Sequence, residues 1–567
     1  TLSRHTPHTY NQRQTHSQLQ SHVSLLAQHA AAWLERVALY AQSISSPHSD
    51  TMVELATPKA FAIMTKAAES AATAATAASA TRSEMKPLLK LAVPVLVASL
   101  SQAALPLTSF VYAGRLTNAA ALAGLGLGVS VCNVTGVCIY YGMATGIDTL
   151  CAQAFGAGNN RLVGVAFMRG TLLTAFTFVP VAFLWYNMEY ALLAMGQQPS
   201  VAHITGMFSR AYLWGMVPYA VFENLKRCLQ AQLIVVPEMM VTLLGVLANV
   251  VFHHITMVVF GMGVYGAGLA LSLTGIFMLT AMIASIWVFR VGAEGCWSGI
   301  FSVDVFRRWP GYLTLCIPGL TGVFLEWTSI EASCFVAGLI GERQLATQVM
   351  LLSAYGIVFT AALSISIAAN VRVGNLLGSG DPIGARKAAA CALRLALCSA
   401  SLVGLGLGLG RGLWPRVYGV SHNVMDMIVA LAPVYAAVQV LDMVQFACTG
   451  ILKGMGLQRI QAIAAGIAFW IVGVPVGTYL ALYRGWGVRG LWSGLAFAEG
   501  PLLLFYLYSL ASADWTQCAI DAIQRVGTYS ESSDADTSDS DSDCEGGGAA
   551  MVPGYGGGLG GGDVAGG

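Results

Sequence analysis

Two acidic residues interrupt a long apolar run of this chain. Glu326 and Glu331 lie in the segment Phe324–Glu331, where most other residues are apolar. Five residues turn an α-helix by about 140° beyond one full rotation. We therefore expect the two carboxyl groups to face different neighbours rather than to form a carboxylate pair.

A second group of polar residues follows in a later apolar run. Gln439, Asp442, Gln445 and Thr449 succeed one another at steps of three, three and four residues. This spacing places them on one face of a helix. A polar face cannot lie against lipid hydrocarbon, so it must face the interior of a helical bundle or an aqueous cavity.

Carboxyl groups at this depth could exchange protons across a membrane. Each costs about 2.5–3.5 kcal/mol on membrane-insertion scales, which makes such residues candidates for function. A carboxyl group in apolar surroundings takes up a proton near cellular pH, and can release it or trade it for a cation on the other side. The alternative is a neutral acid hydrogen-bonded between helices. The pattern favours proton exchange for Glu326 and Asp442 and leaves Glu331 open.

The remaining ionisable residues have weaker patterns. We expect Glu223 and Glu499 to contribute less, because each is judged to lie nearer the end of its apolar run. His253 and His254 are expected to pack helices, since no partner ligands accompany them. The twelve cysteines show neither metal-binding nor disulfide spacing. We predict no metal, no cofactor and no catalytic residue.

The composition explains which elements position these groups. Of 567 residues, 56% are hydrophobic and 10% are charged, against about 25% charged in soluble proteins. The net charge of +1 gives no reason to expect nucleic acid. Apolar runs of about 20 residues fit membrane-spanning helices, whereas barrel strands are about half as long. We predict an all-α polytopic membrane protein of about twelve helices, at 88–113, 119–142, 162–187, 203–228, 239–261, 265–290, 310–340, 345–370, 388–411, 427–450, 461–483 and 489–511.

The loops and ends indicate the orientation. Fourteen Lys and Arg residues fall on one side of this topology and seven on the other, which predicts that both termini are cytoplasmic. Residues 1–85 have low complexity, and a targeting role for them stays open. Residues 513–567 are acidic and Ser-rich, then Gly-rich, and are expected to be disordered. Phosphorylation of this tail and a simple solvated tail are both compatible with its composition.

The two halves of the chain repeat each other. Gly263-Val264-Tyr265-Gly266 recurs as Gly487-Val488-Arg489-Gly490, and Pro94 as Pro318, both at an offset of 224 residues. The repeat predicts two six-helix lobes, 86–305 and 306–512, that cross the membrane in the same direction. Membrane proteins built this way commonly hold a substrate between the halves and open alternately to each side. The repeat therefore indicates a transporter.

Several segments resemble the multidrug and toxic compound extrusion (MATE) transporters of plant or algal type. The segment from 146 to 158 is similar to the motif after their second helix, and Leu325–Glu331 to their seventh-helix motif, with Thr328 where a second Trp is usual. The other matching segments are Leu229–Gln232, Arg372–Gly380 and Leu441–Gln445 with Gly454–Gln458. The resemblance covers residues 86 to 512.

The resemblance implies proton-coupled export of organic cations, xenobiotics or secondary metabolites. Some relatives carry a cation-coupling Asp late in the first helix, where this chain has Ser109. This difference disfavours sodium coupling in the first lobe and implies Glu326 and Asp442 as the proton-coupling pair. Substrate contacts are then expected from a further set of residues, Glu331, Gln439, Gln445 and Trp327.

The expected partners are a small-molecule substrate, the proton as counter-ion and the lipid bilayer. We expect a monomer in the plasma membrane or the vacuolar membrane. Two alternatives stay open. A lipid-linked glycan flippase of the same superfamily would need a basic cavity for phosphate, and the intramembrane charges here are acidic. A polytopic acyltransferase-like enzyme would need a His with a partner acid or amide, and His253 and His254 lack an obvious one.

Overall fold

The computed structural model describes residues 82–418 and 422–540. The low-complexity N-terminal region and the glycine-rich end lie outside the described residues. Within the described part, the first lobe (the N lobe) contains six long helices, α1 Arg82–Leu116, α2 Ala120–Gly156, α3 Asn160–Tyr186, α4 Pro199–Ala231, α5 Val236–Val259 and α6 Gly263–Phe289. The second lobe (the C lobe) contains six more, α7 Trp309–Ile340, α8 Glu342–Gly378, α9 Pro382–Leu409, α10 His422–Met455, α11 Gln458–Tyr483 and α12 Val488–Ser512.

Eleven of these helices in the described part are long and apolar enough to cross a membrane. The twelfth, α4, is 33 residues long but less apolar, because it carries Arg210, Glu223, Lys226 and Arg227. It packs within the N lobe against α3 and α6, so the charges are accommodated inside the protein. The two-lobe arrangement of twelve helices agrees with the predicted fold class.

The repeat is visible in the backbone as well as in the sequence. A π-helical turn, His254–Val259, ends α5, and another, Tyr479–Tyr483, ends α11 at nearly the same offset as the sequence repeat. Such wide turns in a spanning helix are uncommon. Their recurrence at corresponding places indicates that the two lobes share one scaffold.

The lobes interlock on the side where α1 begins and α12 ends, which we call the terminal side. Leu88 and Leu91, early in α1, are buried in the hydrophobic core of the C lobe. Tyr312 and Leu315, early in α7, are buried in the core of the N lobe. The later part of α1 returns to its own lobe, where Asn249 of α5 donates a hydrogen bond to its backbone. Helices α1 and α7 therefore cross between the lobes on the terminal side.

A thirteenth helix corrects the prediction for the tail. Residues from 513 onward were expected to be disordered, but Trp515–Ser540 forms a helix, α13. Ala519 and Ala522 are buried in the core of the C lobe, and Val526 is buried in the core of the N lobe. These small apolar residues recur at steps of three and four, so one face of the helix packs against the two lobes.

Candidate functional site

Helix α10 carries its predicted polar face into the interior of the C lobe. Gln439, Asp442, Gln445 and Thr449 are all buried, with at most 2% of their surfaces exposed. Helices α8, α9 and α12 pack around this helix. The step pattern of the sequence thus produces a polar face enclosed by other helices, as predicted.

These polar groups are only partly satisfied by the protein. Tyr355 of α8 faces Asp442, and its hydroxyl can donate a hydrogen bond to the carboxylate. Within the described residues, Asp442 Oδ2, both side-chain polar atoms of Gln439, Gln445 Oε1 and Thr449 Oγ1 have no hydrogen-bond partner. Buried polar atoms are normally paired, and an exception in a native fold calls for an explanation. A site that binds a proton or a polar ligand in part of its cycle provides one.

Glu326 faces the same interior from α7. It is buried, and its charge interacts with Asp442 of α10 and with the half-buried Lys453 at the terminal end of α10. The backbone beside it is held in place, because Trp470 of α11 donates a hydrogen bond of 2.9 Å to the carbonyl of Leu325. The two predicted proton-coupling residues are therefore brought together within one lobe.

Trp327 and Glu331 point to a different place, as the helical spacing predicts. Ser130 of α2 lies 3.3 Å from a carboxylate oxygen of Glu331 and donates to it. The ring of Trp327 stacks on Tyr141 of α2, with centroids 6.1 Å apart. Both side chains thus face the N lobe across the boundary. The four predicted substrate residues divide into this boundary pair and the interior pair Gln439 and Gln445.

Acidic residues of the N lobe differ from those of the C lobe because they have partners. Glu223 forms an ion pair of 2.7 Å with Lys226, and Asp148 forms one with Arg227. Glu238 accepts hydrogen bonds of 2.8 and 2.9 Å from Gln230. A buried carboxylate that is paired with a cation has little tendency to take up a proton. Glu223 and Asp148 are therefore poorly suited to proton exchange, whereas Glu238 has an uncharged amide as its hydrogen-bond partner.

Ser109 and His253 form a neutral pair in the N lobe. Nδ1 of His253 lies 2.8 Å from the carbonyl of Asn249, so it must carry the proton and donate. Nε2 is then the acceptor for the hydroxyl of Ser109 at 2.7 Å. Both ring nitrogens are satisfied by α1 and α5, so the buried histidine acts in helix packing in this structure.

The prediction for Glu499 needs correction. It was judged to lie near the end of its span, yet it is the twelfth of the 25 residues of α12 and is buried. Its charge interacts with Asp442 and Glu326. The seven-residue spacing of Trp492, Glu499 and Tyr506, all buried on one face, was a signal that could have placed it in the interior. The sequence around Tyr355 showed no comparable spacing that would have placed this residue beside Asp442.

Comparison with known proteins agrees with the two-lobe fold. The family model described as MatE matches residues 94–255 and again 318–479, which together are more than half of the chain. The chain belongs to the MatE family. The two matched segments are offset by 224 residues, the offset of the repeat found in the sequence.

The similarity to individual MATE proteins extends over most of the chain. Multidrug and toxin extrusion protein 2 of Mus musculus is 29% identical over 449 residues, covering 79% of this chain and 78% of the relative. Protein DETOXIFICATION 49 of Arabidopsis thaliana is 28% identical over 455 residues, covering 80% and 90% respectively. The crystal structure of the eukaryotic MATE transporter AtDTX14 has 25% sequence identity and a TM-score of 0.73, and covers 79% of this chain and 99% of that one.

Family membership settles the broad class of activity. MATE proteins are multi-pass membrane transporters rather than enzymes, so the acyltransferase alternative is set aside. The chain moves small organic substrates across a membrane.

Proposed function

We propose that this MATE transporter exports organic cations, xenobiotics or secondary metabolites in exchange for protons that bind Glu326 and Asp442. One observation carries the proposal. Glu326 and Asp442 share the interior of the C lobe, where Asp442 has no basic partner in the described residues, whereas Glu223 and Asp148 of the N lobe are each paired with a cation. The names of the relatives, which refer to multidrug and toxin extrusion, support the substrate class.

The lobe boundary supports alternating access. On the terminal side, Thr149 of α2 donates a hydrogen bond of 2.8 Å to the carbonyl of Lys453, and Gln153 donates one of 2.9 Å to the carbonyl of Gly454. Nearer the other side, Glu331 is exposed and meets α2 through Ser130. We propose that the terminal side is the closed side in this state and faces the cytoplasm. The other side is then the exit for the substrate.

Trp327, Tyr141 and Glu331 suit a cationic substrate. An aromatic face attracts a cation by about 0.5–2 kcal/mol, more when water is excluded. The stacked pair Trp327–Tyr141 offers such faces at the lobe boundary, and Glu331 supplies a negative charge about one helical turn away. Gln439 and Gln445 are buried beside Asp442, so we propose that they support the proton site and receive polar groups of a substrate that reaches it.

The test uses purified protein in proteoliposomes with an imposed pH gradient. A fluorescent organic cation such as ethidium should move against the proton flow with the wild type. Glu326→Gln and Asp442→Asn should each lower the initial rate at least about tenfold, because each removes a proton-binding group. Glu294→Gln, which neutralises an exposed loop carboxylate, is the matched control and should transport normally.

Two results would contradict the proposal. If a sodium gradient without a pH gradient drove the cation equally well, the coupling ion would be wrong. If both C-lobe variants transported like Glu294→Gln, proton coupling through Glu326 and Asp442 would be wrong, although membership in the MATE family would be unaffected.

A further inference from the structure

Helices α10 and α12 are in matching register through the interior of the C lobe. Tyr435 of α10 packs edge-on against Trp492 of α12, with ring centroids 4.9 Å apart. Both helices run toward the terminal side. Seven residues are about two turns, or about 10.5 Å along either axis. Asp442 lies seven residues after Tyr435 on α10, and Glu499 lies seven residues after Trp492 on α12. The two acidic residues are therefore at the same depth in the lobe.

Neighbouring contacts fix the face that carries Glu499. Seven residues before it, Trp492 donates a hydrogen bond of 2.9 Å to Gln348 of α8. Seven residues after it, Tyr506 donates one of 3.1 Å to the carbonyl of Gln461 of α11. Because both anchors point into the lobe, Glu499 between them points there too. Its Oε2 atom has no hydrogen-bond partner within the described residues.

The groups that face Glu499 are acidic or neutral. They are Asp442 of α10, Glu326 of α7 and Tyr355 of α8. No basic side chain among the described residues contributes to its electrostatic environment. The described residues also include no group of three acidic, histidine or cysteine side chains that could hold a metal ion. The positive charge that this arrangement lacks must therefore come from outside the protein, as a proton or a small cation.

We propose that Asp442 and Glu499 hold one proton between them, and that Glu499 sets the pH at which the C lobe gives up that proton. Two carboxylates facing each other in apolar surroundings cannot both carry a charge at acceptable cost. Such a pair titrates as one unit. It releases its last proton when a positive charge replaces it. This inference rests on the proposed function and adds a residue that the proposal there does not use.

The test measures binding of an organic cation, ethidium, to detergent-purified protein as a function of pH. In the wild type, the cation competes with the shared proton, so binding strengthens as pH rises. Glu499→Gln leaves Asp442 without a second negative charge beside it. The pH of half-maximal binding should then fall by about one unit. Glu499→Asp keeps an acid in place and should stay closer to the wild-type profile.

Ser493→Ala is the matched control on the same helix. The hydroxyl of Ser493 bonds the backbone of its own turn, so its removal disturbs α12 without touching the acids. Its pH profile should coincide with that of the wild type. If the profile of Glu499→Gln coincides as well, the inference is wrong. If the wild type itself shows no pH-dependent binding and no proton-driven transport, the proposed function fails instead.

If Glu499→Gln fails to fold, a second measurement still tests the inference. Dicyclohexylcarbodiimide modifies protonated carboxyl groups in apolar surroundings, and mass spectrometry locates the adduct. Asp442 or Glu499 of the wild-type protein should be labelled at pH 6, and saturating ethidium should reduce the labelling at least about fivefold as it displaces the shared proton. Labelling of Asp442 alone, unaffected in extent by Glu499→Asp, would overturn the inference.

Discussion

Tyr355 of α8 faces Asp442, and its hydroxyl is placed to donate a hydrogen bond to that carboxylate. A hydrogen bond to a carboxylate favours its charged form, so Tyr355→Phe should make Asp442 release its proton less readily. Because such a bond is worth about 1–2 kcal/mol, the pH of half-maximal ethidium binding should rise by about one unit. This direction is opposite to that expected for Glu499→Gln.

The control for this variant is Tyr508→Phe, which removes a hydroxyl from an exposed tyrosine of α12. Binding measured by fluorescence between pH 5 and 9 decides the question. A profile of Tyr355→Phe that overlies that of Tyr508→Phe would show that the hydroxyl of Tyr355 does not act on Asp442.

Glu189 lies outside the membrane-spanning helices, and we expect it to make the stability of the fold depend on pH. It lies on the short helix Met188–Ala194 and bonds His203 at 2.8 Å and Arg210 at 3.0 Å. The hydrogen bond from His203, helped by Arg210, lowers the pKa of Glu189. A carboxyl group whose pKa is lowered on folding stabilises the fold above its ordinary value of about 4.3, and this stabilisation is lost as the pH falls below it.

Glu189→Gln should therefore lower the melting temperature slightly at pH 7, by about 1 °C, since exposed ion pairs contribute little. The difference from wild type should shrink as the pH is lowered from 5 to 3. Differential scanning fluorimetry of both proteins across this range is the measurement. A difference that stays constant with pH would show that the ion pairs are not its cause.

At individual positions, a charged residue that interrupts an apolar run was the most informative signal for a functional residue. Glu326 and Asp442 stand out for that reason, and the structure places them in one lobe. Glu499 was underestimated although it interrupts α12 near its middle. Tyr355 could not be identified, because a single tyrosine within a largely apolar helix has no distinctive pattern. The partner of Asp148 was also beyond the sequence, since Asp148 and Arg227 are joined only by packing of α2 against α4.

At the scale of helices, α13 is the element that the sequence did not predict. Its packing residues are few and small, and they precede an acidic Ser-rich run whose composition indicates disorder. Yet Arg525 donates a hydrogen bond of 2.5 Å to Gln153 of α2, and Ala519 and Ala522 pack in the C lobe. The helix follows α12 after a two-residue link. In the proposed alternating-access cycle, its contacts with the N lobe would therefore break when the lobes separate.

Val526→Asp should detach α13 from the N lobe, because a carboxylate replaces an apolar side chain that is buried there. Trypsin should then cleave after Arg525 at least about tenfold faster than in wild type, since that residue loses its protection. Thr528→Asp, two residues on and exposed, is the control for the added charge. Equal cleavage rates in the two variants, followed by mass spectrometry, would contradict this role for Val526.

For the whole molecule, the sequence repeat predicted the doubled scaffold well, since helices and glycine turns recur at a fixed offset. The sequence repeat could not predict how closely the two lobes approach each other. On the terminal side, a Cβ atom added to Gly156 would lie 2.0 Å from the carbonyl oxygen of Asn375, and one added to Gly378 would lie 2.1 Å from that of Gln153. The two glycines occupy equivalent places in the repeat, and each allows one lobe's backbone to touch the other.

Gly156→Ala should therefore prevent full closure of the terminal side, because backbone on both sides of the contact would have to move. A transporter that alternates between two closed gates should lose at least about tenfold in rate when one gate cannot close, a barrier increase of about 1.4 kcal/mol. Gly114→Ala adds the same methyl group to α1 where nothing lies within 4 Å, and should transport normally. Spin labels on α2 and α8 would report a wider terminal side in Gly156→Ala alone. Unchanged transport and distances would mean that this close contact is no part of the cycle.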